Sequence, residues 1–452
     1  MTESGHFVAI IGSGIAGSEA AYHLSQKGIQ VALFEQHRLP YGKIEEGLPK
    51  WHVKLRNQEE KKIDDKIQSP HIHYIPKVRL GKDFTISQLL EWRFSAVLIA
   101  FGAWRDRPLP IENIDDYFGR GLYYQNPLVS WFNHKHEPDY SGPDFHLADN
   151  AIIIGGGLAS LDVVKIVMLE TVADALAQQN KPVDILTLEK DGIGDTLKNL
   201  KLNLSDLGLQ GCTLYYRRRI IDMPLAPMPP KATAERKEKV YQVRERILKN
   251  YQQKYLFRVE ECWQPVDKIV KEGRLNGIVF QRTTHVSGKH SVTAGDRIRV
   301  ESPLVISSIG SIPEKIPGLP YSHELLAIEN HSTGQIKGFN QVFAIGNAVT
   351  GRGNIRESQV HGRDMSLQLM NNYLGLEDKA LEKMVARNEH DTAEQARKIS
   401  RDVKKNDPLS RNQIEFIFKQ IKEIQARVGY AGNYKKWIKQ NRPVRMEEMN
   451  NK

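Results

Sequence analysis

The sequence predicts an α/β protein made of two Rossmann-like dinucleotide-binding domains, followed by an α-helical C-terminal extension. Three observations carry this. A short apolar run, Val8-Ala9-Ile10-Ile11, leads directly into Gly12-Ser13-Gly14-Ile15-Ala16-Gly17 and then into a helical pattern with Ala20, Ala21 and Leu24. The same theme returns as an apolar run at 151–154, then Gly155-Gly156-Gly157-Leu158-Ala159-Ser160, then Leu161-Asp162-Val163-Val164. Past Gly375 the composition becomes polar, charged and helical in pattern. At 452 residues the chain exceeds one ordinary core. We expect residues 1–145 and 335–375 to form the first domain, 146–334 the second, and 376–452 the extension.

In the opening unit each residue type has a physical task. Gly12 permits the tight turn, Gly14 lets backbone approach a pyrophosphate, and Gly17 lets the helix pack on the strand. Phosphates then sit at the helix N-terminus, where unpaired N–H groups point outward. A second strand, Gln30–Phe34, ends at Glu35, 18 residues past Gly17. That is near the usual place for a carboxylate accepting from ribose hydroxyls.

The loop Leu39-Pro40-Tyr41-Gly42-Lys43-Ile44-Glu45-Glu46-Gly47-Leu48-Pro49 has its shape fixed by glycine and proline. Placed after Glu35, it passes over the rest of a long cofactor. Strands are expected at 73–78 and 94–100, the second closing on Phe101-Gly102-Ala103 like the edge of a crevice. Residues 108–127 are rich in turn formers and read as a crossing between domains.

In the second unit, Ser160 replaces the last glycine of the fingerprint and is small enough for the same close packing. Two strand–glycine–helix units imply two dinucleotides, which excludes a simple one-cofactor dehydrogenase. Two readings compete for the strand that follows. Residues 183–188 end at Glu189, a carboxylate suited to an unphosphorylated ribose and hence to NADH. Residues 212–216 end at Arg217-Arg218-Arg219, whose guanidinium groups suit a ribose 2′-phosphate.

Residues 231–255 read as a charged surface helix, and 267–283 with 296–308 as a small antiparallel ribbon. The apolar run 304–309 ends at Gly310. Residues 341–345 stop at Gly346, and the short polar Asn347 follows, able to reach a ribityl or phosphate oxygen. A helix is expected from there to about 373. In the extension, Ser410 and Gln413 form a capping-box pair. Ile414, Ile417, Phe418, Ile421 and Ile424 make an amphipathic stripe that should pack on the body of the protein.

The bulk numbers narrow the function. A hydrophobic share of 40% and a charged share of 26% are ordinary for a globular protein. The apolar runs fall far short of a membrane span. No basic-then-apolar leader precedes Val8, so a cytoplasmic location is expected. The two cysteines, Cys212 and Cys262, form neither a CxxC pair nor a metal-spaced cluster. A redox-active disulfide and a cysteine-bound iron–sulfur centre are therefore not expected, nor is any metal. The formal charge of +10 suits an acidic partner. No stretch looks like a nucleic-acid module, so an acidic protein is the partner expected.

Taken together, Gly12 to Gly17, the Pro40-Tyr41-Gly42 loop, Trp131-Phe132-Asn133, Gly155 to Asp162, Ser307-Ser308-Ile309-Gly310 and Gly346 to Ile355 resemble the adrenodoxin-reductase type of ferredoxin–NADP reductase. The stretch from Tyr216-Arg217-Arg218 to Met223-Pro224 also resembles the glutamate synthase small subunit. The resemblance covers roughly residues 6–375. It implies FAD on the first fingerprint, through Gly12, Gly14, Ile15, Ala16, Gly17, Glu35, Gln36, Gly42, Lys43, Ile44, Val78, Gly102, Gly346, Asn347, Gly353, Asn354 and Ile355. It implies NADP(H) on the second, through Gly155, Gly157, Leu158, Ala159, Arg217, Arg218 and, on a looser match, Glu235.

The activity implied is transfer of electrons from NADPH through FAD to an acidic carrier such as ferredoxin or flavodoxin. The same fold also serves reductases of small molecules and subunits that feed a partner enzyme. A flavin-containing scaffold without enzyme activity is the third possibility. No catalytic residue is named, because hydride transfer to a flavin needs no acid–base pair. The chain departs from the family at Lys43, Glu45 and Glu46, where an apolar or basic run is usual. It departs again at Gly346-Asn347 in place of Gly-Trp, and at Gly156 and Leu158 in place of polar residues.

Overall fold

The computed structural model describes residues 5–229, 231–286, 289–350 and 376–449. The chain opens on β1 (Phe7–Ile11), every residue of which is buried. A strand buried on both faces reads as a continuous apolar run, and the sequence here is FVAII. Next come α1 (Ile15–Ser25), β2 (Gln30–Phe34), α2 (Lys43–Glu46), α3 (Val53–Ile67), β3 (Ile72–Ile75), α4 (Ile86–Glu91) and β4 (Ala96–Ile99).

β1 pairs in parallel with β2 on one side, Phe7 opposite Gln30, and with β4 on the other, Val8 opposite Ala96. The strand order therefore reverses at β1. Such a reversal opens a crevice at the carboxyl ends of the strands, beside Gly12 and Gly102.

The chain then leaves this sheet through β5 (Arg105–Asp106) and enters a second one. β6 (Leu122–Tyr124), α5 (Gln125–His134), β7 (Ile152–Gly155), α6 (Leu158–Gln178), α7 (Ile185–Asp191), α8 (Ile193–Asn199), β8 (Thr213–Tyr216), α9 (Ala234–Tyr255) and β9 (Arg258–Glu261) follow. An antiparallel ribbon of β10 (Trp263–Lys271), β11 (Arg274–Val286) and β12 (Lys289–Glu301) precedes β13 (Val305–Ser308). The second sheet is parallel throughout, in the order β6-β13-β7-β8-β9. It reverses at β7 as the first does at β1. Residues 122–124, expected in the first domain, supply its edge strand: Leu122 pairs with Val305.

The chain returns through β14 (Ser311–Ile312), which pairs antiparallel with β5, Ser311 opposite Asp106. A small hairpin, β15 (Tyr321–Ser322) with β16 (Leu325–Leu326), precedes β17 (Ile328–Asn330), β18 (Gln335–Ile336) and β19 (Val342–Ala344). These last three complete the first sheet, in the order β17-β18-β19-β4-β1-β2-β3. β19 lies parallel to β4, and α10 (Asn347–Thr350) follows it. The helix expected to run on to about 373 lies outside the described residues.

Residues 183–188 are not a strand. Asp184 caps a helix there, accepting from the backbone N–H of Thr187 at 3.0 Å. β8 takes the place beside β7, with Ile152 opposite Thr213. The helix over 231–255 forms, but one face is buried. The Arg244 guanidinium donates to the carbonyls of Ala226 and Ile221, at 2.7 and 2.8 Å, and holds the preceding loop down.

The extension consists of α11 (Leu376–Val403), α12 (Arg411–Arg427), α13 (Tyr434–Asn441) and α14 (Met446–Met449). Ser410 and Gln413 form the expected reciprocal cap. The period-two alternation of β1 decides how these helices pack. Val8 and Ile10 face a cluster that includes Ala20, Ala21 and Leu24 of α1 and Ala396, Ile399 and Val403 of α11. Phe7, Ala9 and Ile11 face the other way, onto Ile417, Ile421 and Ile424 of α12, with the Phe7 and Phe418 ring centroids 5.1 Å apart. The extension thus covers both faces of the first sheet.

Candidate functional site

The turn after β1 is built by steric demand. Gly12 has φ +99°, and a Cβ there would lie 2.8 Å from the carbonyl oxygen of Ala100. A Cβ on Gly17 would lie 1.8 Å from the carbonyl oxygen of Gly12. Only glycines at both positions let α1 start this close to the β1 and β4 ends. α1 begins at Gly14 without a side-chain cap, so its first N–H groups remain available to an anion.

Glu35 is buried at the end of β2. It accepts from Ser13 N–H at 3.0 Å and Ser13 Oγ at 2.7 Å on one oxygen, and from His37 N–H at 2.9 Å on the other. Three charge-assisted bonds fix the carboxylate at the rim of the turn.

A cleft of about 1050 Å³, its open mouth included, runs from this turn along the strand ends. Gly12, Gly14, Ile15, Ala16, Glu35, Gln36, Gly42, Lys43, Ile44, Val78, Gly102, Gly346 and Asn347 all line it. Gly17 stands behind the turn, at the contact between α1 and β1. Gly353, Asn354 and Ile355 lie outside the described residues.

The cleft also takes in residues the sequence reading missed, among them Tyr41, Arg79, Trp104, Glu314 and Asn388. Tyr41 and Trp104 had a signal, lying within two residues of Gly42 and Gly102. Asn388 had none, since it comes from α11 in the extension. Asn347 Oδ1 is buried with no hydrogen-bond partner among the described residues. A buried acceptor left open on the wall of a cleft fits a hydroxyl- or N–H-bearing ligand such as FAD.

Lys43 spans the gap between the first sheet and the crossing ribbon. Its Nζ donates to Asn126 Oδ1 and to Ser311 Oγ, each at 3.2 Å. Burial lowers its pKa to about 8, although Asp106 opposes that shift. Burial likewise raises Asp106 to about 6, against the N–H of Asn126 and the charge of Lys43. Between those values Lys43 is an ammonium in the cleft wall and Asp106 a carboxylate behind it.

The second glycine turn differs in detail. A Cβ on Gly155 would lie 2.2 Å from Ser160 Oγ, and one on Gly156 2.2 Å from the Tyr216 ring. A Cβ on Gly157 meets nothing within 4 Å. Ser160 does more than stay small: its hydroxyl donates to the Ser308 carbonyl at 3.0 Å and ties α6 to β13. Leu158 and Ala159 form the uncapped first turn of α6.

The competition between Glu189 and the arginines resolves on position. Glu189 sits at the end of α7, bonded to Lys165 Nζ at 2.8 Å and to Tyr255 Oη at 3.0 Å. Burial opposes its ionisation, but Lys165 keeps its carboxyl below the usual range. Arg217 and Arg218 directly follow β8, the strand beside the second turn. Their backbone is pinned, since Thr283 Oγ1 donates to the Arg217 carbonyl at 2.8 Å and Cys262 N–H to that of Arg218 at 3.1 Å. Arg219 is committed to Asp222 at 3.0 Å, whereas Arg218 Nε is buried without a hydrogen-bond partner among the described residues. An open guanidinium at this strand end fits a phosphorylated ribose.

Glu235 belongs to α9, not to the strand end that carries Arg217 and Arg218. It is exposed in the first turn of α9 and pairs with Lys239 at 2.7 Å. The buried His52 lies 3.6 Å from Asp162 near the start of α6. The adjoining Trp51 ring covers Lys165 Nζ at 4.2 Å. His52 carried no motif that the sequence reading used. Both cysteines are free, and burial pushes the Cys212 thiol up to about 12.

Residues 6–179 match the pyridine nucleotide-disulphide oxidoreductase family. The chain is similar to a mitochondrial NADPH:adrenodoxin oxidoreductase of Arabidopsis thaliana, 23% identical over 73% of this chain and 74% of the relative. It is similar to a cindoxin reductase of Citrobacter braakii, 30% identical over 35% of this chain and 34% of the relative. It is similar also to the glutamate synthase [NADPH] small chain of Bacillus subtilis, 31% identical over 40% of this chain and 34% of the relative. In these last two comparisons the match spans about a third of the relative's length. Among solved structures, FprA of Mycobacterium tuberculosis in complex with NADPH superposes with a TM-score of 0.65. That match is 20% identical and covers 93% of this chain and 91% of the other. The fold is therefore that of the two-dinucleotide-binding flavoproteins. No helix among the described residues is long and apolar enough to cross a membrane.

Proposed function

We propose that this chain, akin to the adrenodoxin-reductase type of ferredoxin–NADP reductase, is an FAD-dependent NADPH oxidoreductase that delivers electrons to a ferredoxin- or flavodoxin-like protein. One observation carries the reading. In each of the two sheets the strand at the point of reversal, parallel to both its neighbours, ends in a glycine turn, one beside the Glu35 carboxylate and the other beside Arg217 and Arg218. We divide the chain at the ribbon of β5 and β14. Residues before 105 and after 312 serve FAD, and those between serve the nicotinamide nucleotide.

When bound, NADPH supplies a hydride, and FAD divides that electron pair into single electrons. The protein's share is binding, orientation and electrostatics. The α1 N-terminus and Gly14 would hold the FAD pyrophosphate, Glu35 would accept from its ribose, and Asn347 would accept from a hydroxyl or N–H of the cofactor. The α6 N-terminus and the open approach at Gly157 hold the second pyrophosphate. Arg217 and Arg218 hold the 2′-phosphate. Lys43 places a cation in the wall of the FAD cleft, offsetting negative charge on the cofactor.

The net charge of +10 would steer an acidic carrier to the protein. Two unpaired thiols suit a reducing compartment such as the cytoplasm.

The test is an anaerobic titration of the purified yellow protein. NADPH should bleach the flavin band stoichiometrically, and NADH far less efficiently. Reduction of an acidic carrier should then slow steeply as salt is raised, and a salt-independent rate would remove the carrier from the scheme. The likeness to the glutamate synthase small chain supports a second reading, in which electrons pass to a bound partner enzyme. Turnover with dyes and with no free carrier would favour it.

A further inference from the structure

A cluster of buried charge joins the extension to the helix that carries two cleft residues. Val444 is 49% exposed, yet the side chain of the next residue, Arg445, is fully buried. Arg445 Nη1 donates to both carboxylate oxygens of Glu45, at 2.6 and 2.5 Å, and Nη2 donates to Glu60 at 2.7 Å. Lys50 Nζ adds a bond to Glu45 at 2.9 Å. Arg56 stands 3.7 Å from Glu60 and pairs with Glu447.

Arg445, Lys50 and Arg56 thus stand against the carboxyl groups of Glu45, Glu60 and Glu447. Ions buried this way cost several kcal/mol each unless every partner is in place. Undocking Arg445 would leave Glu45 and Glu60 short of their strongest partner, so docking of this segment is close to all-or-none.

Glu45 belongs to α2, whose Lys43 and Ile44 line the cleft. Other attachments converge on the same loop. Tyr434 Oη donates to Asp64 at 2.6 Å, and Tyr41, a cleft residue, donates to the same carboxylate at 3.2 Å. Trp437 Nε1 donates to the Arg38 carbonyl at 2.7 Å. Asn388 of α11 reaches the cleft itself. Asn388, Tyr434, Trp437 and Arg445 of the extension therefore reach the cleft or the chain around the loop that follows Glu35.

We propose that the C-terminal extension positions the 39–46 loop for the cofactor, with Arg445 as a positioning residue, so that FAD binding and docking of residues 430–449 are coupled. The proposal rests on the reading that the cleft holds FAD. Coupling is reciprocal: the factor by which the docked segment raises FAD affinity equals the factor by which FAD favours docking. A segment that only adds stability shows no such reciprocity.

The experiment measures amide hydrogen exchange of the full chain with and without FAD, in peptides covering 434–449 and, as a control, in β7 and β8. FAD affinity is measured for the native chain and for Arg445→Met, Arg445→Lys and Tyr434→Phe. FAD should slow exchange in 434–449 by about tenfold and leave β7 and β8 unchanged, and Arg445→Met should weaken FAD by about the same factor. Arg445→Lys should recover part of the loss, and Tyr434→Phe should show a smaller one.

Exchange in 434–449 that ignores FAD, or an Arg445→Met protein that binds FAD as the native chain does, overturns the proposal. If Arg445→Met does not fold, the native exchange comparison and Tyr434→Phe decide it. A native chain that takes up no FAD overturns the cofactor reading instead, and is recognised by the absence of yellow protein.

Discussion

Replacing Arg217 and Arg218 together with alanine tests the nicotinamide nucleotide assignment most directly. The two side chains stand in different surroundings, which sets the expected size. Arg217 is exposed, so a bond from it to a phosphate is screened by water and is worth ~0.5 kcal/mol. Arg218 is partly buried and its Nε lacks a partner among the described residues, so its charge-assisted bond is worth ~2 kcal/mol. The sum, ~2.5 kcal/mol, corresponds to a loss of about 60-fold in NADPH affinity. NADH has no 2′-phosphate and should lose no more than about twofold.

The assay is flavin bleaching under anaerobic conditions, titrated with each nucleotide at one fixed low salt concentration. Arg218→Ala alone should account for most of the effect. Equal loss with NADPH and NADH would show that neither guanidinium meets the 2′-phosphate. A larger effect from Arg217→Ala would refute the argument from burial.

Three further outcomes follow from the geometry. Gly17→Ala puts a Cβ 1.8 Å from the Gly12 carbonyl oxygen, where contact normally begins near 3.4 Å, so the protein should purify without flavin. Gly157→Ala meets no protein atom within 4 Å, so its thermal midpoint should stay within ~2 °C while NADPH and NADH weaken alike, by an amount that reports how closely backbone approaches the pyrophosphate. His134 has a raised pKa of about 9: burial opposes protonation, but Glu137 and Glu46 outweigh it. Its stabilising contribution, ~3 kcal/mol, is fully present below pH 6.5 and lost as pH rises through 9. Denaturant midpoints of His134→Gln should therefore fall less across that window than those of the native chain, and parallel curves would count against the assignment.

The parts legible in the sequence were those set by local rules. A buried parallel strand must be apolar, and the turn after it must be glycine, so the Gly12 and Gly155 turns could be read from a dozen residues each. The capping box at Ser410 was legible for the same reason. Pairing partners were not. Choosing between 183–188 and 212–216 required knowing which segment lies beside β7, and the Asp184 cap that makes the former a helix is easily outweighed by its run of β-formers. Tyr123 and Tyr124 were lost among turn residues although they form the edge of the second sheet. Asn388 and Arg445 were invisible because no local pattern says that residues so distant in the chain bear on the loop after Glu35. The role offered for Glu235 came from a loose match, and its pairing with Lys239 lends that role no support.

The ribbon of β5 and β14 has a consequence in time. β4 is made early, but its partner β19 arrives only with Val342, 245 residues after Val97. At ~5–20 residues per second, synthesis of that interval takes roughly 12–50 s. Throughout it, β4 presents an unsatisfied row of amides and carbonyls, and the hydrophobic flanks of β1 await α11 and α12, which come later still. The nascent chain can close its middle portion first, because β6 to β13 lie within one uninterrupted stretch. Assembly on the ribosome should thus proceed from the inside outward. The amino-terminal strands β1 to β4 would stay incompletely covered until the last helices emerge.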